Sequence, residues 1–95
     1  MFLITLEYTA PLEKLDEHLG GHRELLHDGI AKKVLVFAGR KVPRTGGLFL
    51  LNYKTRAEVD AFIARDPYFT EKLATYAVQE IQVTVPDPRF EVFLK

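Results

Sequence analysis

The sequence predicts an α+β domain of the split βαβ, ferredoxin-like kind, a four-stranded antiparallel sheet built in the order β-α-β-β-α-β with two helices on one face. Three observations carry this. The hydrophobic period switches from strand to helix and back in that order along the chain. Turn and cap residues fall between the periodic segments, and no internal repeat or linker interrupts them. The length of 95 residues holds a single domain, 1–95, and leaves no room for a second catalytic unit.

Residues 2–8 alternate Phe2, Ile4, Leu6 and Tyr8 against Leu3, Thr5 and Glu7, the period of a first strand with one strongly apolar face. Pro11 suits a first helical turn, and Leu12, Leu15, Leu19 and Leu26 recur at helical spacing until Asp28-Gly29 supplies a stop. The first helix is therefore expected over roughly 11–28. Residues 33–38, Lys-Val-Leu-Val-Phe-Ala, read as the second strand. After the turn signals Pro43 and Gly46-Gly47, the run Leu48 to Tyr53 reads as the third, and the two form a hairpin.

Thr55-Arg56-Ala57-Glu58 has the form of a capping box, and Val59, Phe62 and Ile63 give the second helix its buried stripe. That helix ends before Asp66-Pro67, where a further turn or short helix starts. Ile81, Val83 and Val85 alternate with Gln82 and Thr84 as a fourth strand. Beyond Pro86-Asp87-Pro88, residues 90–94 alternate again as a short terminal strand.

The second and third strands carry apolar residues on both faces, Val34 and Val36 against Leu35 and Phe37, Leu48 and Leu50 against Phe49 and Leu51. Two helices cover only one face of such a sheet, so a homodimer with sheets face to face is expected.

Composition narrows the chemistry. With 47% hydrophobic and 27% charged residues the chain is an ordinary globular protein, and its apolar runs are too short to cross a membrane. Absence of cysteine excludes a disulfide framework, a thiol nucleophile and thiolate metal sites. The first residues meet Glu7 too soon for a basic and apolar leader, so a cytoplasmic protein is expected. Zero net charge argues against a nucleic-acid binder, and the stacking aromatics of an RNA-binding sheet are missing. Charge is nevertheless segregated. No acidic residue falls between Asp28 and Glu58, where Lys32, Lys33, Arg40, Lys41, Arg44, Lys54 and Arg56 all lie. These read either as solvated strand ends or as a basic rim that steers a small anion.

Three histidines, His18, His22 and His27, sit on the first helix. At about 100° per residue, His22 falls within about 30° of the centre of the leucine stripe, His18 about 70° off and His27 more than about 100° away. His22 alone points inward, either as a core histidine bonded to a backbone carbonyl or as an acid/base group. His18 and His22 have the i,i+4 spacing of metal ligands, but no third ligand accompanies them and no metal site is expected. Gly20-Gly21 just before His22 weakens the helix by roughly 1 kcal/mol per residue, which points to a close approach at that place. Asp66-Pro67-Tyr68 reads either as a helix start or as a carboxylate that orients an imidazole.

Taken together, the inward His of His22-Arg23-Glu24-Leu25-Leu26, Ala38-Gly39 at the end of the second strand and Asp66-Pro67-Tyr68 after the second helix resemble the YciI-like (YCII-related) family. The resemblance spans the chain from the first strand to the fourth. It implies the dimeric α+β barrel fold, and an active-site pair corresponding here to His22 and Asp66. Members often carry an Arg shortly before the His, where this chain has Leu19, and a Pro after the Gly of the second strand, where it has Arg40. The family has no single established reaction, and one branch is associated with dehalogenation of chlorinated aromatics.

The leading expectation is a small cofactor-free enzyme in which His22 moves a proton on an organic substrate and Asp66 holds the imidazole, with isomerisation or elimination as the reaction type. Tyr8, Arg40 and Tyr68 are the candidate substrate-binding residues. The alternative is a non-catalytic small-molecule-binding or assembly protein of the same fold.

Overall fold

A computed structural model describes residues 1–94. Its elements are β1 (Phe2–Tyr8), α1 (Leu12–Glu17), α2 (Leu19–Ala31), β2 (Leu35–Arg40), β3 (Gly46–Leu51), α3 (Arg56–Ala64), α4 (Pro67–Thr70), β4 (Ala74–Glu80) and a 3-10 helix, Pro88–Leu94. The strands form one antiparallel sheet in the order β2-β3-β1-β4, so the expected α+β, ferredoxin-like architecture holds.

The core lies between the sheet and the helices. Phe2, Ile4 and Leu6 of β1 and Phe49 and Leu51 of β3 face Leu15 of α1, Leu25 of α2, Val59, Phe62 and Ile63 of α3 and Tyr68 of α4 in one buried cluster. The period of two puts the alternate residues on the opposite face: Leu3 and Thr5, Leu48 and Leu50, and Phe37, which pairs across from Leu50. On that side Leu50 is buried at 7% exposed, whereas Phe37 is 48% exposed.

Several elements differ from the sequence expectation. The first helix is two. The chain leaves the helical region at His18 (φ −112°, ψ 8°), where Gly20 and Gly21 begin the next segment with little helical preference. Leu12 is exposed on this account, and Leu25 takes the buried place. Gly29 is not a stop. It is a buried contact inside α2, where an added Cβ would lie 2.9 Å from Leu35 Cβ and 3.1 Å from Phe62. The helix ends instead at Lys33 (φ 61°), with the amides of Lys33 and Val34 bonded back to Ile30 and Gly29.

β2 and β3 are shifted from 33–38 and 48–53 to Leu35–Arg40 and Gly46–Leu51. Gly46 and Gly47 belong to the strand because neighbouring backbones, Leu6 on one side and Gly39 on the other, occupy the space of a Cβ. The fourth strand is Ala74–Glu80 rather than 81–85. β1 sets this register: Tyr8 pairs with Ala74 and Phe2 with Glu80, so beyond the bond from Ile81 N to Met1 O nothing remains to pair with Val83 or Val85. Residues 90–94 are not a strand either. Asp87 accepts from the Arg89 amide, Pro88 starts the 3-10 helix, and Asn52 Nδ2 donates to Phe93 O at 2.8 Å. The capping box of α3 forms as expected, with Glu58 N donating to the Thr55 hydroxyl at 3.2 Å and Thr55 N to Glu58 at 3.1 Å.

Candidate active site

The break at His18 and the approach of α2 to α4 decide where His22 sits. An added Cβ on Gly21 would stand 3.0 Å from Pro67 Cγ, so glycine at this position lets the helix come close to the Asp66-Pro67 turn. One residue later, His22 is 9% exposed, and its Nδ1 lies 2.9 Å from Asp66 Oδ1 and 3.0 Å from Oδ2. His18 is half-buried and 4.0 Å from Glu71, while His27 is exposed. The helical-wheel ranking of the three histidines therefore holds.

Asp66 combines both roles that its sequence context allows. It caps α4, accepting from the Tyr68 amide at 3.0 Å, and it faces the imidazole. A third donor comes from Tyr76 on β4, whose hydroxyl gives a 2.6 Å bond to Asp66 Oδ2. The side chain of Asp66 has no exposed surface. Backbone, phenol and imidazole donors take the place of the water this buried carboxylate has lost. Burial, with the Asp66 charge beside it, pushes the Tyr76 phenol well above its ordinary value of 10.0, so Tyr76 stays a donor throughout the neutral range. A fourth strand at 81–85 places no tyrosine behind Asp66; β4 at Ala74–Glu80 places Tyr76 there. The alternation of Ala74, Tyr76 and Val78 was the signal that marks its face.

The carboxylate also fixes the tautomer of His22. Since it only accepts, Nδ1 carries the proton, and in the neutral ring the lone pair is on Nε2. The ring plane is held by stacking on Tyr68, with centroids 4.0 Å apart and planes 11° from parallel, and by Phe49 at 5.8 Å. Tyr8 meets Tyr68 edge-on at 6.0 Å, and Arg44 lies over the Tyr8 ring while bonding Asp16 at 2.8 Å. Burial also raises the Tyr68 phenol, whose oxygen is enclosed without a partner among the described residues.

His22 opens on a cleft of about 150 Å³ between α2 and the sheet. It is lined by the apolar Leu6, Leu19, Leu26 and Phe49, by Tyr8 and Tyr68, and by Arg23 and Arg40. Thus the structure brings all five candidate residues, His22, Asp66, Tyr8, Arg40 and Tyr68, to one place, Asp66 behind the imidazole and the others on the cleft. Arg23 was quoted in the sequence only as part of a motif; its place beside His22 comes from the helix geometry. Among the described residues no three His, Cys, Asp or Glu side chains gather as a metal site, and no helix is long and apolar enough to cross a membrane.

The model of the YCII-related domain matches residues 1–82. This chain belongs to the YCII-related family. The matched YCII-related segment contains β1 through β4 and every residue of the cleft, leaving the 3-10 helix outside it. Among solved structures, this YCII-related chain is similar to 5-chloro-2-hydroxyhydroquinone dehydrochlorinase (TftG) from Burkholderia phenoliruptrix, in complex with 2,5-dihydroxybenzoquinone. The TM-score is 0.72 at 17% identity, over 86% of this chain and 94% of the other, and establishes a shared fold. No curated protein sequence matches the chain.

Proposed function

We propose that this protein is a small enzyme, working without a cofactor, that uses the His22–Asp66 pair for general acid/base chemistry on a small organic substrate. The observation that supports it most is the buried contact of His22 Nδ1 with both oxygens of Asp66, while the same imidazole borders an open cleft. A histidine retained only for packing gains nothing from a carboxylate carrying three donors, whose burial costs several kcal/mol before its bonds are made. An acid/base imidazole needs such a partner for its tautomer and orientation.

In this reading Nε2 takes a proton from an acidic O–H or C–H of the substrate. The electron pair left behind either shifts a double bond, and the proton returns at a second atom, or it expels a leaving group as an anion. The first course is an isomerisation and the second an elimination, and in each Asp66 stabilises the transient imidazolium without taking its proton. Tyr8, Tyr68 and Arg40 bind the substrate, and Tyr76 positions Asp66. The dehydrochlorinase with the same fold makes halogenated hydroxyquinols the first compounds to try. We also infer a homodimer formed through the sheet face opposite the helices, which encloses the exposed Phe37 and the half-buried Leu3 and Leu48.

The test is turnover of a panel of chlorinated and unchlorinated hydroquinones and unsaturated lactones. His22→Ala and Asp66→Asn are each expected to lower kcat/KM by about 10²–10⁴. Unchanged turnover in both variants refutes the dyad.

A further inference from the structure

Arg23 and Arg40 differ from the other arginines of the chain. Arg44 ends on Asp16, Arg56 on Asp60, Arg65 on Asp28 and Arg89 on Asp87, all within 3.1 Å. Among the described residues Arg23 and Arg40 make no ion pair. They line the same cleft, one from the helix residue after His22 and the other from the last residue of β2. No Asp or Glu shares that lining, and the oxygens of Asp66, behind the imidazole, already receive the imidazole, the Tyr76 hydroxyl and the Tyr68 amide. Two like charges at the rim of a partly apolar cleft repel one another and attract an anion. A guanidinium is also the group best shaped for a carboxylate or phenolate oxygen pair.

The rest of the cleft sets the size and shape of that anion. Its volume of about 150 Å³ has room for one benzene-sized ring, with the cleft open to solvent on one side for the ring's substituents. Leu19 and Leu26, both half-buried, offer apolar walls beside the His22 imidazole, which is itself backed by Tyr68 and Phe49. We infer that the ligand of this cleft is a single-ring organic anion, its ring against Leu19 and Leu26 beside the imidazole and its negative oxygens held by Arg23 and Arg40. The inference rests on reading the cleft as the substrate site, and adds to it the charge and ring size of the substrate.

Benzoate and the neutral isostere benzamide are the probes, titrated by calorimetry and by amide chemical shifts at low ionic strength. Benzoate is expected to bind at least about tenfold more tightly than benzamide, with shifts centred on the amides of Gly39, Phe49 and Tyr68. In the Arg23→Gln, Arg40→Gln double variant the ratio falls below about threefold, while Arg56→Gln retains the wild-type ratio. Both arginines are exposed, so the double variant folds as the wild type does. Equal binding of the two probes, no benzoate binding at tens of millimolar, or a tenfold ratio that survives in the double variant overturns the inference. His22→Ala separates it from the catalytic reading. A benzoate preference kept in this variant, together with unchanged turnover, removes the acid/base role and leaves the anion site standing. Normal loss of turnover without any benzoate preference does the reverse.

Discussion

At the scale of single residues, the Asp66 carboxylate makes two claims testable without a substrate. The first concerns the proton on His22. With Asp66 accepting at 2.9 Å and 3.0 Å, the neutral ring is the Nδ1–H tautomer. An Asn at this position still accepts the Tyr68 amide, but its NH₂ can donate to Nδ1, so Asp66→Asn transfers the ring proton to Nε2. Imidazole ¹⁵N shifts distinguish the two states, and an unaltered tautomer in the variant contradicts the assignment. The second concerns Tyr76, a phenol raised above 10.0 in the folded protein by burial and by Asp66. A group that holds its proton more tightly when folded gives stability that is complete below its unfolded value and is lost as pH rises from about 10 toward the higher folded value. The urea midpoint is therefore expected to fall between about pH 10 and 11, and to fall less steeply in Tyr76→Phe. At neutral pH the same variant loses about 1.5–3 kcal/mol, the worth of a hydrogen bond to a buried charge.

Between elements, the two adjacent glycines make opposite predictions from the same substitution. Nothing lies within 4 Å of a Cβ on Gly20, and neither residue has a positive φ, so Gly20→Ala adds helix preference alone and raises stability by about 0.5–1 kcal/mol. Gly21→Ala gains as much in the helix but drives a methyl to 3.0 Å from Pro67, and α2 must back away from the turn that holds Asp66. Turnover, or the Nδ1 proton signal of His22, is expected to weaken in Gly21→Ala and to persist in Gly20→Ala. Equal behaviour of the two removes the packing argument. The pair also shows which features the sequence could reveal. Inward His22, the Thr55 cap, the Asp66 turn and the strand order rest on local patterns of period and capping, and these were legible. The split at His18, the helix end at Lys33 and the position of β4 rest on partners distant in sequence: Pro67 for Gly21, Leu35 and Phe62 for Gly29, and the seven residues of β1 for β4. Tyr76 was missed for that last reason, since a strand placed seven residues too late puts no side chain behind Asp66.

For the whole molecule, the proposed homodimer turns on the sheet face opposite the helices. Leu3, Thr5, Leu48, Leu50 and Phe37 lie there, Leu50 is outside the helix-side cluster, and Phe37 is 48% exposed. Strands about 4.8 Å apart and about 3.3 Å per residue make a four-stranded face of roughly 450 Å² in projection, and the pleated side-chain surface exceeds its projection. Two such faces together clear the roughly 1,000 Å² that a specific interface needs. A twofold axis satisfies both copies with the same patch and leaves no growing end, which is why the proposed assembly is a closed dimer. The His22 cleft lies on the helix side of the sheet, and the proposed dimer therefore leaves it accessible. Sedimentation at about 10 µM is expected to give twice the chain mass. Phe37→Asp with Leu48→Asp places two facing charge pairs in the middle of the apolar contact, which costs several kcal/mol and releases a folded monomer with helix content unchanged by circular dichroism. A wild-type monomer at that concentration rules the face-to-face dimer out. A dimer that survives the double substitution moves the interface elsewhere on the surface.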